Sequence, residues 1–303
     1  MREKFKVGFD VLKQTVKDWA DDKAPRLGAA LAYYTIFSIA PLLVIVIAIA
    51  GIWFDKQVAQ EQIFQQISGL VGEDGGKAIS GMLKAADKPK EGMIASILAV
   101  VTLIFGATGV FIQLQDALNT IWEVKPKPGR GIMGFIRQRL LSLAMVMGIG
   151  FLLLVSLVMS AGLAVAGKWF SGSMPGGEAI WQVINFAISF LVIAAMFTLM
   201  FKYLPDVKIA WKDVWLGGFL TAFLFTVGKF ALGMYLGRSS VSSAYGAAGS
   251  LVILLLWVYY SAQILFLGAE FTQVYANRFG KKLEPSENAV WAPGQKEAQA
   301  GGA

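Results

Sequence analysis

The chain has 303 residues, of which 56% are apolar and 16% charged, with 27 Lys and Arg against 20 Asp and Glu for a net charge of +7. That balance lies to the hydrophobic side of soluble domains, so water is not expected to be the main solvent. Histidine and cysteine are both absent, which removes disulfides, His- or Cys-based zinc sites, Ser-His-Asp and Cys-His triads and histidine proton relays.

The first 26 residues place Phe5, Phe9, Leu12, Val16 and Trp19 at helical spacing, with Lys4, Lys6, Lys13 and Lys17 between them. This predicts an amphipathic helix lying on the inner membrane surface; packing on the protein's own loops is the alternative. Runs free of charge follow at Leu27 to Phe54, Gly92 to Gln115, Leu140 to Gly167, Ala179 to Phe201 and Ser239 to Ala269, and Val214 to Gly237 is interrupted only by Lys229. Each exceeds the ~20 residues that a helix rising ~1.5 Å per residue needs to cross a bilayer. The first is also too long for the core of a signal peptide. The fold class expected is therefore all-α, a polytopic membrane protein with six spans at about 27–54, 92–118, 140–167, 179–203, 214–237 and 248–275.

Between the first two spans, residues 55–91 carry Ile63, Phe64, Ile67, Leu70 and Val71, then Ala78, Ile79, Met82 and Leu83. Two amphipathic helices separated at Gly72 to Gly76 are predicted, forming an extracytoplasmic cap. Residues 278–303 read as a cytoplasmic tail, disordered from Glu284 onward because Pro, Gln, Gly and Ala dominate. Lys and Arg number 19 in the segments on the N-terminal side of the membrane, 7 in those on the other side, and Lys229 lies within a span. The excess of positive charge places both terminal segments in the cytoplasm.

Ionisable groups within spans are costly and normally face a bundle interior or a wet cavity. Lys229 lies about 12 Å from the outer end of the fifth span, too deep for easy snorkelling, and is expected to face inward and meet an anionic group. Glu73 or Asp74 of the cap is the structural alternative. On the second span, Gly106, Gly109, Gln113, Asp116 and Thr120 share one stripe, and on the sixth Tyr259, Gln263 and Glu270 share another. Asp116 and Glu270 reach a similar depth near Arg26. These three form either an ion network that sets helix register or part of a gate or pathway. Pro41, with Gly106 and Gly109, is a candidate hinge, with a tolerated kink as the bland reading. No catalytic residue, metal site or cofactor is expected, because neither H-E-x-x-H nor G-x-S-x-G occurs.

The segments Ala32-Tyr33-Tyr34-Thr35-Ile36-Phe37-Ser38-Ile39-Ala40-Pro41-Leu42, Gly106-Ala107-Thr108-Gly109-Val110-Phe111, Gln113-Leu114-Gln115-Asp116-Ala117-Leu118-Asn119, Tyr245-Gly246-Ala247-Ala248-Gly249, Trp257-Val258-Tyr259-Tyr260-Ser261-Ala262-Gln263 and Gly268-Ala269-Glu270-Phe271 together resemble the YihY / virulence factor BrkB family of bacterial inner-membrane proteins. The resemblance covers about residues 5 to 280. It implies six spans. Members have carried the label ribonuclease BN, have been linked by name to serum resistance, and have been proposed as transporters or exporters, with no settled substrate and no catalytic residues to transfer. The combined expectation is a transporter of an anionic, zwitterionic or amphiphilic solute. A non-transporting envelope scaffold and a lipid translocator are the alternatives. Membrane lipid, a small solute or lipid substrate, and other copies of the chain are the expected partners, with no nucleic acid; ribonuclease activity is not expected.

Overall fold

The computed structural model describes residues 2–51, 55–86, 93–128, 134, 144, 177–238, 248–280 and 283–293. Its elements are α1 (Arg2–Asp21), α2 (Ala24–Ala50), α3 (Lys56–Ala86), α4 (Met93–Ile121), β1 (Val124–Pro126), α5 (Gly177–Tyr203), β2 (Val207–Lys208), α6 (Trp211–Arg238), α7 (Gly249–Phe279), β3 (Glu284–Pro285) and β4 (Ala289–Trp291). Among the described residues, α2, α4, α5, α6 and α7 are long and apolar enough to cross a membrane. Apart from residue 144, the expected span at 140–167 lies outside the described residues, as does the segment Tyr245 to Ala247.

Close backbone approach builds the bundle, as in helices that associate in lipid without a hydrophobic driving force between them. Helix α2 packs on α4 where the Pro41 ring fills the space over Gly106, so that a Cβ there would lie 2.9 Å from Pro41 Cγ. Gly109 opens the next turn to Ser38, with Oγ 3.3 Å from the same kind of Cβ. All three candidate hinge residues therefore sit in one packed seam. Helices α6 and α7 meet through a reciprocal arrangement, in which Gly217 receives the Thr272 side chain and Gly268 receives Thr221. Each threonine hydroxyl also donates to the carbonyl four residues back in its own helix, Thr221 to Gly217 at 2.7 Å and Thr272 to Gly268 at 2.6 Å.

Helix α3 carries the break expected in the cap: Gly72 has φ 82° and ψ 171°, a conformation that costs a residue without Cβ little. Beyond it, Ile79 and Leu83 pack on Leu43 and Ile47 of α2 and Leu254 of α7. One end of the bundle is thus covered. At the opposite end, Ile121, Trp122, Phe201, Leu204, Val207, Ile209, Phe266 and Ala276 belong to the larger apolar core among the described residues.

The expectation of disorder from Glu284 onward needs correction. Residues 284–291 are ordered, with β4 antiparallel to β1 and β3 antiparallel to β2. The composition is indeed poor in apolar groups, but Leu283 and Ala289 are buried and the backbone finds partners in the turns after α4 and α5, including Ala292 N–H to Glu123 O at 2.7 Å. Those turns are in turn clamped by Asn119, whose Nδ2 donates to Asp206 Oδ2 at 3.0 Å while its Oδ1 accepts from the Asp206 N–H at 2.7 Å.

Candidate functional site

The polar face of α1, the turn after α4 and the last turns of α7 enclose a basin of about 860 Å³. It arises from helix phase. On α1, Phe9, Leu12 and Val16 point away from the protein, Val11 and Thr15 are buried, and Asp10, Gln14, Asp18 and Asp21, at steps of four, four and three, share the third face. That face meets Glu123, Glu270, Gln273 and Arg278.

Glu123 (φ 54°), which lines the basin, and Lys23 (φ 56°), which follows the lining residue Asp22, adopt left-handed backbone. Glycine usually ends a helix in this way, and a side chain there costs on the order of 1 kcal/mol or more. In both cases the strain keeps a charged group at the junction. Glu123 is half-buried on the basin wall.

Glu270 forms the floor. It has no exposed surface, and its carboxylate oxygens meet no donor in good hydrogen-bond geometry, the Asp22 carboxyl being the neighbour close enough to share a hydrogen bond with it. An ionised carboxylate so placed costs on the order of several kcal/mol. Asp22, Asp18 and Glu123 all lie within electrostatic reach of it. Burial pushes Asp22 up to about 6; the neighbouring Glu270 carboxyl opposes the shift, and Asp18 and Asp21 reinforce it. Burial likewise raises Glu123, helped by Asp22 and Asp18. Asp22 therefore changes charge well above the usual carboxylate range. The basic residues Lys13, Lys17 and Arg278 stand at the exposed rim, where Arg278 approaches Asp10 at 4.0 Å.

A buried amide without a partner continues the same helix face. Gln263 precedes Glu270 by seven residues, two helical turns or about 10.5 Å. Both amide atoms of Gln263 are buried without a partner, and the side chain rests on Gly28 of α2. Tyr259 lies one turn further, partly buried.

The remaining sequence candidates are placed elsewhere. The expected cluster of Arg26, Asp116 and Glu270 is not formed. Helix α4 turns Ala117, Leu118 and Ile121 into the core, which leaves Asp116 exposed on the side of Asp206. Arg26 is exposed in the first turn of α2, where Ala24 is the buried residue, and among the described residues it has no ion-pair partner. Gln113 is partly buried on α4. Lys229 lines a separate groove of about 300 Å³ between α5 and α6, with Gln182, Asn185, Ser189 and Thr226 among Phe186, Phe190 and Phe230. Glu73 and Asp74 have no described side chains.

The basin acids Asp18, Asp21, Asp22 and Glu123 escaped the sequence reading. Their signal was present on α1, opposite the apolar stripe that drew attention, but nothing local in the sequence announces that this face meets Glu270.

The sequence profile of the virulence factor BrkB family matches residues 15–291. The chain belongs to that family. UPF0761 membrane proteins are among its relatives: one from Pseudomonas paraeruginosa is 28% identical over 275 residues, 89% of this chain and 63% of the relative. One from Methylibium petroleiphilum is 29% identical over 269 residues, 86% and 61% respectively, and one from Psychromonas ingrahamii is 26% identical over 280 residues, 89% of both chains. The chain thus spans about three fifths of the length of the first two relatives. No solved structure matches. Membership in the BrkB family, together with the five apolar helices, makes the chain an α-helical multi-pass membrane protein.

Proposed function

We propose that the protein is a six-span transporter or exporter of the bacterial inner membrane, with the basin as its cytoplasmic vestibule and α3 as an extracytoplasmic cap. One observation carries the reading: Glu270, whose hydrogen-bonding neighbour is another acid, Asp22, and Gln263, whose buried amide atoms have no partner among the described residues, follow each other along one face of α7 from the basin toward mid-membrane. A purely structural polar residue would normally be satisfied. Glu270 lines the basin, and a solute or its water moving from there along α7 would supply the hydrogen bonds that these groups lack.

The distribution of Lys and Arg, 19 against 7, supports placing the basin on the cytoplasmic side. The outward-turned Phe9, Leu12 and Val16 of α1 suit contact with the inner leaflet. The acids on the basin floor favour a solute with a positive group, zwitterionic or cationic, over a simple anion. A second reading, lipid translocation, draws on the Lys229 groove, whose amide, hydroxyl and ammonium groups lie among phenylalanines, a combination suited to a phosphate-bearing amphiphile.

Flux in proteoliposomes tests the proposal. Wild-type protein should exchange at least one member of a panel of labelled zwitterionic, cationic and amphiphilic solutes, and Glu270→Gln should reduce that exchange at least tenfold at equal reconstitution. Flux that is indifferent to Glu270 would contradict the vestibule. Lipid scrambling lost on Lys229→Met but retained in Glu270→Gln would favour the second reading.

A further inference from the structure

We propose that the basin binds an organic polyamine, a flexible molecule with two or more ammonium groups, whose innermost ammonium is received by Glu270. The inference rests on the vestibule reading and adds the chemical class of its ligand.

Charge is sorted by depth. Asp18, Asp22, Glu123 and Glu270 make up the interior of the basin, whereas Lys13, Lys17 and Arg278 occupy the rim with Asp10. The charged groups that a positive ligand meets once inside are thus acids, and an anion would be repelled from the floor. The fully buried oxygens of Glu270, which no basic side chain reaches among the described residues and whose hydrogen-bonding neighbour is the Asp22 carboxyl, identify where a cationic donor belongs. An ammonium brings three N–H donors and a charge, meeting both the hydrogen-bonding and the electrostatic deficit of a buried carboxylate.

Size and spacing select an organic cation. Among the described residues no group of three acids converges closely enough to hold a metal ion. The acids instead surround about 860 Å³, the scale of cavities that take small organic ligands. They also come from three separate places, the end of α1, the turn after α4 and the interior of α7. A ligand with several ammonium groups on a methylene chain can reach more than one of them at once. A single small cation cannot.

The test is calorimetric titration of the full chain in nanodiscs of zwitterionic lipid, with spermidine as probe and butylamine, magnesium chloride and sodium chloride at matched ionic strength as comparisons. Saturable spermidine binding with a sub-millimolar Kd is expected, at least tenfold tighter than butylamine. Glu270→Gln should weaken it at least tenfold and Asp22→Asn several-fold, while Glu61→Gln on distant α3 leaves it unchanged. Asp22 lies outside the spans, so its variant keeps the test decisive if Glu270→Gln fails to fold. The proposal is overturned by absent or unsaturable binding, by equal competition from magnesium, or by full-strength binding to whichever basin variants fold. Flux of another solute without spermidine binding would remove the polyamine and leave the vestibule. Glu270-dependent binding without any flux would establish the amine site and remove transport.

Discussion

Gly268→Ala should destabilise the protein by about 1–3 kcal/mol, the usual cost of overpacking, and Thr221→Ala should recover most of that loss. A Cβ on Gly268 would overlap Thr221 Oγ1 and lie 2.9 Å from Thr221 Cβ. The threonine cannot turn away cheaply, because its hydroxyl is committed to the Gly217 carbonyl and a β-branched side chain has few rotamers in a helix. The helices would have to separate. Since the contact is reciprocal, Gly217→Ala should be rescued by Thr272→Ala and not by Thr221→Ala. Thermal unfolding in detergent measures all the combinations, and residues in direct contact should show a coupling of at least about 0.5 kcal/mol. Additive effects within the matched pairs would mean that the seam between α6 and α7 is not packed as described.

Glu270→Leu should stabilise the fold while ending solute flux. Replacement of buried charged groups by apolar side chains of similar volume is often neutral or stabilising, and here the neighbours of the acid are themselves acids, Asp22, Asp18 and Glu123. Each kcal/mol gained should raise Tm by about 2–4 °C in a chain of this general size. The opposite movement of stability and activity is the signature of a residue kept for function at the expense of folding. A lower Tm would mean that Glu270 has an essential structural partner, and retained flux would remove it from the pathway.

How much of this was legible in the sequence differs from element to element, for physical reasons. The apolar helices were visible because lipid demands long uncharged segments, a one-dimensional property. The break at Gly72 was visible because glycine punctuates a helical pattern locally. The stripe of Tyr259, Gln263 and Glu270 followed from helical periodicity alone. What Glu270 faces did not follow, since it depends on where α1 docks and on the phase of α4 relative to α7. The same three-dimensional fact separates Asp116 and Arg26 from Glu270 despite similar positions along their helices. Lys229 was conspicuous by charge and depth, but its neighbours on α5, Gln182, Asn185 and Ser189, became relevant only once α5 and α6 were paired. The pairing of residues 284–291 was hidden because a short β ladder between distant segments leaves almost no local pattern.

The absence of native cysteine permits a direct measurement of the central claim, that the face carrying Glu270 and Gln263 is a wetted route from the basin. Gln263→Cys would be exposed to a small, membrane-impermeant thiosulfonate reagent from the basin side, with Ala194→Cys, fully buried on α5, as the packed reference. The route predicts that the thiol at 263 is modified at least tenfold faster than the thiol at 194, and that Glu270→Leu slows the reaction at 263. Equal and negligible modification at both positions, in folded protein, would contradict it.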